Sequence, residues 1–157
     1  MININRANTD FEFKICFNFF TEMWKNEFEI DLNTNIIKQF NDFKNSNIYY
    51  IKNISEIISV IQFTKIYKWF KLWNGTTIDK DAYILWRIWV KKEYRKQWLW
   101  KKIINYWLNE IKQSWINLIY IPSEINNIKY YSQFWFKEFW NEYSLWNTKV
   151  IFMKNEI

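Results

Sequence analysis

Hydrophobic and polar positions follow two different periods along this chain, and the switches between them mark its elements. After an opening ININ that reads as a first strand, Asp10 suits an N-cap, and Phe13, Phe17 and Phe20 recur at helical spacing. A helix is therefore predicted over residues 11–23, with a weaker one over 34–43. Residues 48–51 and 57–64 are β-rich runs joined by a tight polar connection, and 67–81 is rich in turn residues. A third such run covers 82–90. The basic segment KKEYRKQWLWKK comes next, and a helix over 100–112 carries Ile103, Ile104, Leu108 and Ile111 as one stripe. A short buried-type strand at 117–121, a helix at 126–134 and strands at 136–139 and 150–153 close the chain. This order predicts an α/β fold: a single mixed β-sheet flanked by helices. Pro122 is the only proline, and no repeat or linker interrupts the pattern, so residues 1–157 are expected to form one domain.

Composition changes this picture at one point. The chain holds 12 tryptophans and 1 glycine, whereas an average soluble protein has about 7% glycine. Several tryptophans stand where glycine belongs. Trp73 precedes Asn74-Gly75 in a turn, Trp115 follows a helix at its C-cap, and Trp135 sits between two phenylalanines past another helix. Such sites favour positive φ or close backbone approach, which glycine supplies and an indole does not. The remaining residues lean towards Ile, Asn, Lys, Phe and Tyr, those of AT-rich codons. The expectation is that most of these tryptophans are UGA codons that the source reads as glycine. Trp107, mid-helix on the apolar side, is the expected exception, because glycine there would cost about 1 kcal/mol against alanine.

Charge and absences narrow the chemistry. A net charge of +6, from 22 basic and 16 acidic residues, suits an anionic ligand such as a nucleotide cofactor. It is also what a solvated basic surface gives. With no histidine, Ser-His-Asp and Cys-His catalysis and His-ligated metals are excluded. Cys16 is the single cysteine, so an intrachain disulfide and a thiolate zinc site are excluded too. In an apolar helix it reads as a buried, inert thiol. The N-terminal MININRANTD lacks the apolar core of a signal peptide, and no apolar run approaches the ~18 residues of a spanning helix, so a soluble cytoplasmic protein without a membrane partner is expected.

Candidate chemistry centres on Arg95-Lys96-Gln97-Trp98-Leu99-Trp100, between a strand and a helix. With glycine at 98 and 100, this is a turn whose consecutive N–H groups can face a diphosphate, helped by the positive end of the helix and by Arg95, Lys96 and Lys101. Taken alone, the hexapeptide reads first as a basic loop leading into a solvated helix. Its context adds more. The stretch ILWRIWVKKEYRKQWLWKKII resembles the fourth strand, pyrophosphate loop and following helix of the GNAT acetyltransferase superfamily. That family's signature runs Arg or Gln, two residues, glycine, one residue, then glycine or alanine. Here the glycines are written Trp98 and Trp100. NNIKYYSQFWFKEF resembles the family's helix ending in Tyr, three residues and Gly-Phe, with Trp135 at the glycine. WNEYSLWNTKVIFMK is similar to the last two strands of a bacterial subgroup, and FFTEMWKNEFEID more weakly to its early helix-turn.

The resemblance implies a fold and a set of roles. The fourth strand would splay from the fifth, and backbone groups of Ile88, Trp89 and Val90 would pair with the pantetheine arm of acetyl-coenzyme A. An amide near Ile88 or Trp89 would also polarise the thioester carbonyl. Arg95, Lys96, Gln97, Trp98, Leu99, Trp100 and Lys101 would hold the pyrophosphate. Tyr131 would be the general acid protonating the coenzyme A thiolate, with Tyr130 facing the core. Asn127 would touch the cofactor or cap its helix. Glu124 would be the base for the attacking amine, or a surface carboxylate near a helix start. Arg87 would bind an acidic substrate group or pair with a neighbouring carboxylate. The activity implied is acetyl transfer from acetyl-CoA, without a metal, to a primary amine on a small molecule or peptide, by direct attack in a ternary complex. A homodimer stays open.

Two rivals remain. The literal chain, basic and aromatic-rich, could stack on single-stranded nucleic acid, although its tryptophans do not alternate with basic residues along one face and many fall at turns. Alternatively, the same fold could be a binding module that has lost catalysis.

Overall fold

The computed structural model describes residues 3–28, 36–54, 56–139, 142–145 and 148–157. Eight strands are present: β1 (Ile4–Arg6), β2 (Asn47–Asn53), β3 (Glu56–Ile66), β4 (Ala82–Val90), β5 (Leu118–Glu124), β6 (Lys137–Glu138), β7 (Tyr143–Leu145) and β8 (Thr148–Glu156). The helices are α1 (Asp10–Phe28), α2 (Ile36–Lys44), α3 (Leu99–Lys112) and α4 (Ile128–Ser132). The strands form one sheet in the order β1-β2-β3-β4-β5-β8-β6, with β7 also on β8. The β4–β5 pair is parallel and the β2–β3 and β5–β8 pairs are antiparallel, so the sheet is mixed, as the element order predicted. By contacts the chain falls into two compact units, Met1–Thr64 with Arg87–Glu110, and Lys65–Trp86 with Ile111–Ile157.

In the first unit, the period-2 alternation of β2 and β3 sorts side chains to two faces. Ile48, Tyr50 and Val60 join Phe17, Phe20, Met23 and Phe43 in the core beneath α1 and α2. Tyr49 and Phe63 point the other way, where Tyr106 and Trp107 of α3 meet them, Trp107 with its ring 4.6 Å from Phe63. The expected stripe of α3 is buried, and the helix starts one residue earlier than the pattern indicated. Thr9, not Asp10, caps α1. Its Oγ1 accepts from the Glu12 N–H at 3.2 Å while Glu12 accepts from the Thr9 N–H at 3.0 Å, a reciprocal capping box. Asp10 instead pairs with Lys44. Cys16 is fully buried, and burial pushes its thiol up to about 12, as an inert core thiol should behave.

In the second unit, Leu72, Ile78, Ile84, Tyr120 and Phe152 form the core. The loop before β4 turns at Gly75 (φ 88), so glycine rather than Trp73 takes the left-handed conformation there. Strand β5 runs past Pro122 to Glu124, beyond the expected end at 121, and pairs with β8 in unbroken register. The expected helix over 126–134 is shorter: a 3-10 turn, Ile125–Asn127, leads into α4. Strand β7 lies in the WNEYSLWNTKVIFMK segment likened to two final strands; the hydrophobic pattern alone did not mark it. The predicted helix start at Thr34, the end of the FFTEMWKNEFEID segment and residues 140, 141, 146 and 147 of the WNEYSLWNTKVIFMK segment lie outside the described residues. Among the described residues no helix is long and apolar enough to cross a membrane.

Candidate functional site

One group of candidate residues is built on β4 and the turn that leads from it into α3. Val90 is fully buried, and the Lys91 N–H donates to the Ile58 carbonyl at 2.9 Å, which fixes the strand's end against β3. A 3-10 turn over Lys92–Gln97 comes next. It is anchored by a polar cluster that sequence reasoning missed. The Tyr94 hydroxyl accepts from Asn53 at 3.0 Å and donates to Glu56 at 3.3 Å, while Glu56 also takes the Lys91 ammonium. The Lys91 contact and the Tyr94 hydroxyl hold the Glu56 carboxyl below its usual range. No local motif links residues 53 and 56 to 94; the β2–β3 hairpin pairs Asn53 with Glu56, and the turn after β4 brings Tyr94 to them.

Trp98 is the pivot of this segment. It closes the 3-10 turn in a left-handed conformation (φ 59, ψ 15), and its carbonyl accepts the first helical bond of α3, from Lys102 at 3.1 Å. A bulky L-residue in this region costs roughly 1–2 kcal/mol, and glycine almost nothing. Its indole is 68% exposed, with the Lys101 ammonium 5.5 Å over the ring. The indole thus turns outward into solvent. Trp100 lies inside α3 and keeps negative φ, so a glycine there would serve close approach, not backbone freedom. Arg95 reaches back, its Nε donating to the Val90 carbonyl at 3.0 Å, which ties the loop to the strand end. Lys96 and Gln97 fall in the 3-10 turn, and Leu99 is buried at the start of α3. Ile88 and Trp89 are half-buried on β4.

A separate group of candidates lies in the second unit, beyond β5. Glu124, exposed, ends that strand, and Asn127 occupies the cap position of α4 without a side-chain cap bond, so the capping alternative for Asn127 is not used. Tyr131 is half-buried on α4, its ring 5.3 Å from Tyr130 and 6.3 Å from Phe136. Burial, with the neighbouring Tyr130 and Glu124, pushes the Tyr131 phenol well above its ordinary range. Tyr130 is half-buried as well, packed on buried Phe134, and burial raises it to about 12. Just past α4, Trp135 has φ 66 and is 82% exposed.

Arg87 faces α1 from β4. Its Nη1 donates to Gln62 Oε1 at 2.7 Å, and its Cζ lies 4.3 Å from the centre of the Phe20 ring. The carboxylate pairing that the sequence left open is not formed: among the described residues its polar partner is a neutral amide.

Left-handed backbone at non-glycine residues is confined, among the described residues, to Ile54, Trp69, Trp98 and Trp135. Trp69 carries no sequence signal beyond its place in a turn-rich loop. It is the third residue of a turn closed by Phe70 N–H to the Tyr67 carbonyl at 2.9 Å, and its φ of 75 is the value a type II turn asks of glycine. Trp135, chosen from sequence, shares the feature; Trp73 and Trp115 do not, so glycine at those two would serve close approach and not backbone freedom.

No family model matches the chain, and no curated protein matches it in sequence. Solved structures do share its fold. A GNAT-family acetyltransferase from Staphylococcus aureus Mu50 is 20% identical, with a TM-score of 0.70 over 99% of both chains. Arabidopsis thaliana NAA60 in complex with acetyl-CoA is 12% identical, with a TM-score of 0.73 over 100% of this chain and 99% of that one. The ribosomal-protein-S18-alanine N-acetyltransferase of Escherichia coli is 13% identical, with a TM-score of 0.71 over 100% and 94%. The fold is that of the GNAT acetyltransferases.

Proposed function

We propose that this chain is an N-acetyltransferase of the cytoplasm, one domain over its whole length, that moves an acetyl group from acetyl-coenzyme A to a primary amine. We further propose that it does so with glycine at most of the positions written as tryptophan. The observation that carries the reading is the turn between β4 and α3. A left-handed residue stands at the first glycine position of the signature, directly before the helix whose first-turn amides and positive end suit a pyrophosphate. Left-handed φ at Trp69 and Trp135 supports the recoding independently of that loop. The short β4–β5 ladder, Tyr83↔Ile119 and Ile84↔Tyr120, is in keeping with a fourth strand that leaves the fifth partway along.

Each residue then has a task. Backbone groups of Ile88, Trp89 and Val90 hold the pantetheine arm, and a β4 amide stabilises charge on the thioester oxygen. The loop amides, with Arg95 and Lys101, hold the pyrophosphate. Acetyl-coenzyme A supplies the acetyl group. The neutral amine forms the C–N bond as the C–S bond breaks, Tyr131 donates its proton to the departing thiolate, and Glu124, directly or through water, takes the proton the amine loses. Burial keeps the phenol protonated at neutral pH and makes it a weaker acid, so its proton moves only as negative charge builds on the sulfur.

Two experiments test the reading. Coding DNA with UGG at most of the 12 positions would sink the recoding. Release of free thiol from acetyl-CoA with a panel of primary amines tests the activity. Acetyl-CoA binding without turnover of any amine would leave only a binding module.

A further inference from the structure

Arg87 is a cation whose surroundings answer its charge incompletely. Gln62, which accepts from it, is locked in place: its Nε2 donates to Ser46 Oγ at 3.0 Å, and Ser46 in turn bonds the Asp42 carbonyl at 3.0 Å and Thr64 at 2.8 Å. Gln62 and Ser46 are both buried. Phe20 covers one face of the guanidinium, and the Trp24 ring centre lies 5.9 Å from Cζ. Burial lowers the pKa of Arg87 to about 10. A desolvated charge is costly unless an opposite charge joins it. An amide oxygen takes one of five N–H donors, and two ring faces add only a partial offset.

The aromatic wall beside the fork includes two residues written as tryptophan. Trp24 and Trp89 pack on each other with centroids 6.5 Å apart and on Phe20 at 5.6 and 6.4 Å. Glycine at both positions would remove that bulk and open space next to Arg87, leaving Phe20 and Gln62 to orient it.

We infer that Arg87, oriented by the Gln62–Ser46 pair and Phe20, receives a carboxylate on the acetyl acceptor and so selects amines that carry an acidic group. The planar fork matches a carboxylate with two parallel bonds. One guanidinium balances one negative charge, whereas a phosphate dianion would leave a second charge uncompensated in an apolar surround. The substrate class rests on the acetyltransferase reading above, and the space beside Arg87 rests on the glycine reading at positions 24 and 89.

The test is calorimetric titration of the full-length protein, translated with its source's codon assignments, with N-acetylalanine and N-acetylalaninamide. The acid is expected to bind at least tenfold tighter than the amide. Arg87→Gln should abolish that preference. Gln62→Glu, which supplies the fork with a built-in carboxylate, should abolish it too, with the circular dichroism of the fold retained. Equal affinity for acid and amide overturns the proposal, as does a preference that survives both substitutions or a stronger competition by inorganic phosphate than by acetate. Thermal protection by acetyl-CoA separates the two levels. Protection without acid preference sinks the Arg87 site alone; acid preference without protection sinks the acetyltransferase reading and leaves the site standing.

Discussion

Trp98 and Trp107 flank the first half of α3, and the structure treats them in opposite ways. Trp98 has left-handed backbone and an indole 68% exposed, with the Lys101 ammonium over its ring. Trp107 has helical backbone, is 0% exposed, and fills the space against Phe63, its Nε1 without a hydrogen-bond partner among the described residues. The first indole adds a backbone penalty and almost no burial; the second adds a large apolar contact at the cost of one stranded donor. Composition cannot separate the two, since both are one letter in an overabundant class. Backbone conformation can, and it marks Trp69, Trp98 and Trp135 as places where the main chain asks for glycine.

The sharpest way to break this contrast is to write glycine at both ends. Trp107→Gly should destabilise the chain by about 4 kcal/mol or more, combining lost packing of a buried ring with the helix cost of glycine. Chemical denaturation measures it, and a loss below about 1 kcal/mol would place Trp107 with the turn tryptophans. The next largest effect concerns Tyr131, four residues ahead of left-handed Trp135. Tyr131→Phe should lower turnover on the order of 10²-fold, or about 2.7 kcal/mol, with acetyl-CoA binding retained. With the phenol pushed up by burial, its donor form persists above pH 10, so loss of this proton should not limit kcat from neutral pH to there. Unchanged turnover with a good amine would make Tyr131 a packing residue.

Trp98→Gly and Trp135→Gly should each stabilise the chain by about 1 kcal/mol through relief of left-handed strain, read as a higher thermal midpoint. The smallest effect comes from a helix start that needs no glycine. At α1, Glu12 is held near 2, first by the Asn8 amide, then by the Tyr50 hydroxyl, with Thr9 contributing. A depressed carboxylate stabilises the fold above its ordinary pKa of 4.5 and loses that contribution as pH falls towards 2. Glu12→Gln should therefore cost under about 1 kcal/mol at pH 7 and flatten the pH dependence of stability in that window. An unchanged slope between pH 4.5 and 2 would show that the capping box is not the titrating element.

Much of the fold was legible because its signals are local and periodic. The 82–90 strand matches β4 to the residue, and the stripe of α3 is buried as read. What failed depends on contacts distant in sequence or on competition between neighbours. Thr9 outcompetes Asp10 as cap because Glu12 lies three residues on and closes the box. Pro122 continues β5 because β8 pairs with it throughout, although a proline usually argues for a strand's end. At the candidate site, the loop and its pivot were readable through glycine logic. Its Asn53–Tyr94–Glu56 anchor and the Gln62 partner of Arg87 were not, because only the folded sheet and the turn after β4 bring those residues together.

The central claim is that the 95–101 loop binds acetyl-coenzyme A when glycine, and not tryptophan, stands at positions 98 and 100. Thermal unfolding of both chains with and without saturating acetyl-CoA tests it most directly. The glycine chain should be protected, by about 2.7 kcal/mol at a hundredfold excess over Kd, and the literal tryptophan chain should show no shift. Equal protection of the two, or none for the glycine chain, would contradict the account.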